Sequence, residues 1–112
     1  MSLLLTKRKP ATVGEILTEE FMEPMGISQT ELSEQTGLAR KHINELCRDR
    51  RTITADTALI LARTFGNSAN FWLNTQQRND LWEALSSPGR RTRIERAQPM
   101  KVRRRPGERM SA

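Results

Sequence analysis

Residues Ser28 to Leu46 read SQTELSEQTGLARKHINEL, and the fold turns on their register. Ser28 and Glu31 have capping-box spacing: each side chain can close the other residue's free backbone N–H. A helix is therefore expected to start after Ser28 and to close at Gly37, since glycine enters the left-handed conformation that ends helices at little cost. Another helix is expected from about Arg40 to Arg48. Ile43, Leu46 and Cys47 share its inward face, whereas Lys41, Asn44, Glu45 and Arg48 recur every three or four positions on the opposite one, with Arg40 at the tip.

The flanks extend the pattern. Thr12 and Glu15 form a second capping-box pair, and Val13, Ile16, Leu17 and Phe21 share a face, so a first helix should start at Thr12 and end at Pro24 and Gly26. Beyond the loop Asp49-Arg50-Arg51-Thr52, Thr54 caps a fourth helix with Ala58, Leu61, Ala62 and Phe65 as its apolar stripe. Gly66 ends it and Ser68 caps a fifth, which carries Phe71, Trp72, Leu73, Leu81, Trp82 and Leu85 and fades at Ser86-Ser87-Pro88-Gly89. No useful stretch alternates with a period of two. The expectation is an all-α body of five helices over residues 12–86, preceded by a short arm (1–11) and followed by a tail (87–112).

The charge is unevenly spread. Residues 1–87 hold 10 Lys/Arg against 11 Asp/Glu, a net −1, whereas residues 88–112 hold 9 against 2, a net +7. The pI of about 10.7 therefore belongs to the tail. With three prolines, two glycines and eight arginines, that tail has too little apolar surface to offset its ordering entropy. It is expected to be mostly disordered, with room for a short helical turn around Arg93 to Ala97.

Several classes drop out. One cysteine, Cys47, permits no internal disulfide and fits a reducing cytoplasm; no window is long and apolar enough for a leader or a membrane span. His42 is the sole histidine, so no two-histidine metal site can form; Glu45, Asp49 and Asp56 are scattered, and there is no glycine-rich phosphate loop. No catalytic residue, metal, cofactor or small-molecule substrate is expected.

The outward face of the 40–48 helix matches DNA groove chemistry. Arg or Lys can donate to guanine, Asn can pair with adenine, and Glu can accept from cytosine. Arg40, Lys41, Asn44 and Glu45 are therefore the expected base readers, the first three reaching deepest because the N-terminal half of such a helix enters the groove. Arg48, Arg50 and Arg51 are expected on phosphates, as are Gln29 and Thr30 at the start of the preceding helix. Gln29 is also placed to brace the backbone.

In register, Ser28 to Leu46 resembles the phage-repressor (Cro/C1 or XRE) type of helix-turn-helix. With GEILTEEFMEPMGISQTEL (Gly14–Leu32), HINELCRDRRTITADTALILARTFG (His42–Gly66) and NFWLNTQ (Asn70–Gln76), the chain resembles the HigA/VapI family over about residues 12–85. The resemblance implies a lambda repressor-like domain and an antitoxin of a bacterial type II toxin–antitoxin module. Such a protein is a homodimer that binds a palindromic operator, represses its own operon and neutralises a partner toxin, usually an mRNA endonuclease. Two positions depart from many relatives, Ser33 in the second helix and Ala39 ahead of the third, and Ala39 makes a weak cap. The basic tail lies outside the resemblance. A free-standing regulator of the same fold, and a protein- or RNA-interaction module, are the competing readings.

One domain of this size covers too little DNA for tight specificity, so pairing is expected, with recognition helices about 34 Å apart. Leu81, Trp82 and Leu85 on the fifth helix are the expected dimer surface, whereas Phe71 and Trp72 are expected to pack inward. The tail is expected to meet DNA phosphates.

Overall fold

The computed structural model describes residues 8–101. Six helices and no strands occur among them. Helix α1 (residues 13–25) starts at Thr12, whose hydroxyl accepts from Glu15 N at 3.1 Å while the Glu15 carboxylate accepts from Thr12 N at 3.2 Å. Its middle, Ile16–Met22, is π-helical, and Glu23 N bonds to the Thr18 carbonyl five residues back. Because Glu23–Met25 restarts as α-helix there, Pro24 falls in a first turn, where its missing N–H costs nothing. The helix therefore passes through Pro24 and stops at Gly26, with φ 65°.

Helix α2 (Gln29–Thr36) carries the Ser28–Glu31 capping box and ends at Gly37 with φ 77°. Helix α3 (Arg40–Cys47) has no side-chain cap at Ala39. Helix α4 (Ala55–Phe65) is capped by Thr54 and ended by Gly66 at φ 73°. Helix α5 (Ala69–Ser86) is capped by Ser68. One core joins them. Leu17, Leu32, Ile43, Leu46, Ala58, Leu61 and Trp72 are fully buried, and the Trp72 indole N–H donates to Asn67 Oδ1 at 2.9 Å, so the ring is buried without an orphaned donor. Phe21, Phe65 and Phe71 surround it, with ring centroids 5.1, 5.9 and 5.1 Å away. Phe71 reaches it only by an edge and stays partly exposed.

Helix α6 (Pro88–Glu95) corrects the expectation of disorder for the first part of the tail. It begins five residues before the turn foreseen at Arg93. Local signals produce it: Pro88 in the first turn, the Thr92 hydroxyl donating to the Pro88 carbonyl, and an Arg91–Glu95 pair at i,i+4. No residue from 88 to 95 is buried, and only Ile94 covers apolar surface, at 45% exposure. Residues 1–7 and 102–112, including Lys7 of the arm and the rest of the tail, lie outside the described residues.

Candidate nucleic-acid interface

The apolar side of α3 is anchored by Ile43 and Leu46, which leaves the other side open. Arg40 and Lys41 are exposed at its N-terminal tip. Asn44 is half-buried, and its Nδ2 donates to Gln29 Oε1 at 3.2 Å. That bond ties the middle of α3 to the first turn of α2, across the glycine turn. The structure thus brings together a residue expected on a base and one expected on a phosphate. Thr30 is exposed beside Gln29 on α2.

Glu45 and Arg51 also meet. Arg51 Nε and Nη2 both donate to Glu45 Oε1, at 3.1 and 2.9 Å. The Arg51 hydrogen bond holds the Glu45 carboxyl below its ordinary pKa, so the carboxylate is ionised when it grips the guanidinium. A fork clamped in this way presents its remaining N–H groups in a fixed direction. Arg48 and Arg50 are exposed and pair with no carboxylate among the described residues.

The end of α3 holds the residue that sequence reasoning missed. Asp49 N donates to the Leu46 carbonyl and Arg50 N to the Glu45 carbonyl, which together form a Schellman closure. Asp49 takes the left-handed position at φ 55°, where glycine is usual and Asp is among the better-tolerated alternatives. Its carboxylate then accepts from Thr12 Oγ1 at 2.6 Å and from Gly14 N at 2.8 Å. An acid at the N-terminus of α1 also complements the helix dipole. Asp49 therefore has partners, and they lock α1 onto the end of α3. Gly14 permits the approach: a Cβ there would stand 2.5 Å from the Cys47 carbonyl oxygen and 2.8 Å from that of Leu46.

Two further side chains set the frame. Gln76 of α5 accepts from Ile53 N and donates to the Ile53 carbonyl at 3.0 Å, which pins the loop after α3. Asn79 donates to the Pro10 and Ala11 carbonyls at 3.0 and 2.8 Å, which pins the arm. Local pattern carries no sign of either, because the partners lie 23 and about 68 residues away. A cleft of about 360 Å³ separates this loop from α5, with Lys9, Arg50 and Arg51 facing Asp80 and Glu83.

His42 is half-buried and its Nε2 has no hydrogen-bond partner. Burial, then the Arg51 charge, pulls its pKa below 6.5. Cys47 lies against Met22, its Sγ 3.7 Å from the thioether, and burial pushes its thiol pKa up. Of the expected dimer residues, Leu81 is 44% exposed, while Trp82 and Leu85 are half-buried. No group of His, Cys, Asp and Glu that could hold a metal ion occurs among the described residues, and no helix there is long and apolar enough to cross a membrane.

Comparison with known proteins agrees with this geometry. A helix-turn-helix family model matches residues 19–72. The chain is 45% identical over 78 residues to antitoxin HigA-1 of Vibrio cholerae, spanning 70% of this chain and 73% of that one. Virulence-associated protein I of Dichelobacter nodosus is 50% identical over 68 residues, covering 61% and 63% of the two chains. Among solved structures, Pseudomonas aeruginosa antitoxin HigA with the higBA promoter is similar at a TM-score of 0.73 and 33% identity, over 82% of this chain and 99% of that one. With a helix-turn-helix of this register inside a match that spans most of a known antitoxin, the chain belongs to the HigA/VapI family of helix-turn-helix antitoxins.

Proposed function

We propose that this chain is the antitoxin of a bacterial type II toxin–antitoxin module: a homodimer that binds a palindromic operator, represses its own operon and neutralises a partner mRNA-endonuclease toxin. One observation carries the DNA half. Helix α3 presents Arg40, Lys41 and Asn44 on the face its core leaves open, and the Gln29–Asn44 bond fixes that face relative to α2. Kinship with HigA-1 supports the toxin-neutralising half. The chain then acts as a binding protein, not an enzyme, in the cytoplasm where its operator lies.

In this reading Arg40 and Lys41 donate to guanine and the Asn44 amide pairs with adenine. Glu45 accepts from cytosine, while its Oε1, bonded to Arg51, fixes the guanidinium fork toward a phosphate. Gln29 and Thr30 approach a phosphate at the N-terminus of α2, and Arg48 and Arg50 add charge. Leu81, Trp82 and Leu85 form the contact between two copies.

The test is a binding assay on the DNA upstream of the gene, with and without the product of the adjacent gene. Preferential binding to that DNA, together with a stable complex with a small neighbouring product, is expected. Operator binding without such a complex would make the chain a free-standing regulator. Binding no better than to random DNA would sink the reading.

A further inference from the structure

The basic tail begins beyond the family motifs, which end at Gln76. Helix α6 turns part of that tail into an ordered surface. Arg90, Arg91, Arg93 and Arg96 are all exposed there. Arg91 pairs with Glu95 at 3.7 Å, whereas the other three pair with no carboxylate among the described residues.

Helix α5 links this charge to the loop after α3. Gln76 grips the Ile53 backbone beside Arg50 and Arg51, Asn79 holds the arm, and Glu83 pairs with Lys9 at 3.4 Å. The second half of α5 thus leaves the loop that carries the phosphate-seeking arginines and leads to α6. From Gln76 to Pro88 the chain advances about 18 Å, at 1.5 Å per residue. Lys9 neutralises Glu83 on the way.

We propose that α6 is a second DNA-binding surface, which neutralises backbone phosphates flanking the operator half-site and adds affinity without reading sequence. The composition of the helix favours phosphate over a protein partner. It offers no aromatic anchor, and its one large apolar residue, Ile94, borders a shallow groove beside Ala84 together with Arg90 and Arg93. Guanidinium groups on a solvated helix match phosphate chemistry. The inference rests on the DNA-binding reading above, but it concerns a different surface.

The experiment uses the full chain with Arg90, Arg91, Arg93 and Arg96 all changed to Gln, beside a fourfold Arg→Lys variant. Affinities for operator and random DNA are measured across a salt series. The Gln variant should weaken binding to both DNAs alike, by about tenfold or more, and flatten the slope of log affinity against log salt by about 0.9 for each phosphate it no longer neutralises. The Lys variant should keep the slope. An unchanged slope in the Gln variant overturns the proposal, as does weakening confined to the operator, or failure to bind the adjacent gene product with DNA affinity intact. Arg40→Ala separates the two readings: if it leaves the preference for operator intact, base reading fails, whereas the salt slope still decides the role of α6.

Discussion

Two regions offer arginine to the surroundings, residues 40–53 and residues 88–96, and they are built in opposite ways. In the first, four side chains and a stretch of backbone are held, while Arg40, Lys41, Arg48 and Arg50 stand exposed around them. Asn44 is bonded to Gln29, Arg51 to Glu45, Asp49 to α1 and Ile53 to Gln76. In the second, no side chain is buried and the one ion pair is local. Reading bases needs donors fixed to a fraction of an ångström, which a packed frame supplies. Neutralising phosphates needs only charge within reach. The contrast explains how a protein of pI about 10.7 can have a DNA-reading segment, Ser28 to Leu46, whose own charge is near zero.

The contrast can be broken first at the frame. Trp72→Ala empties the fully buried centre of the aromatic cluster and should cost about 3–5 kcal/mol of stability, read by chemical denaturation. A loss below about 1 kcal/mol would mean that the cluster does not hold the body together. Next, Asp49→Ala removes the acceptor for Thr12 and Gly14 and should cost about 1–3 kcal/mol. Asp49→Gly separates the two roles of this residue, because glycine relieves the left-handed strain yet restores no bond to α1. It should therefore fall between wild type and Asp49→Ala; equality with Asp49→Ala would show that the backbone strain is immaterial.

At the reader itself, Asn44→Ala should cost about 1–3 kcal/mol at one base position and relax specificity there. Scanning each operator position against the variant checks this, and uniform weakening across sequences would move Asn44 into the phosphate class. Gln29→Ala should reproduce part of that effect, and a double-mutant cycle should find the pair coupled. The smallest effect is a pH dependence. His42 is held below its ordinary 6.5 in the folded chain, so the unfolded chain binds more protons and stability falls as pH drops through 6.5 toward the folded value. His42→Gln should flatten that part of the stability profile, and an unaltered profile would assign it to other groups.

Much of the frame was legible from local chemistry. Thr12, Ser28, Thr54 and Ser68 announced four helix starts, and Gly37 and Gly66 two ends, because caps and left-handed turns are decided within four residues. Periodicity identified Ile43 and Leu46 as inward for the same reason. The helix 88–95 was missed because composition averages over the whole tail, whereas a proline start and one i,i+4 pair act within a single turn or two. Asp49 was set aside as a loop acid because both its partners lie more than 30 residues upstream.

The sequence by itself determined the order of the first five helices, the family, the outward residues of α3 and the split between a neutral body and a basic tail. Each of these depends on neighbours in the chain or on simple counting. Only the tertiary structure decided who holds whom: that Gln29 meets Asn44, that Arg51 grips Glu45 Oε1, and that Asp49 fastens α1 to the end of α3. Those partners are chosen by the packing of separate helices around Leu46, Leu61 and Trp72, and a one-dimensional pattern has no access to distances that the shared core imposes.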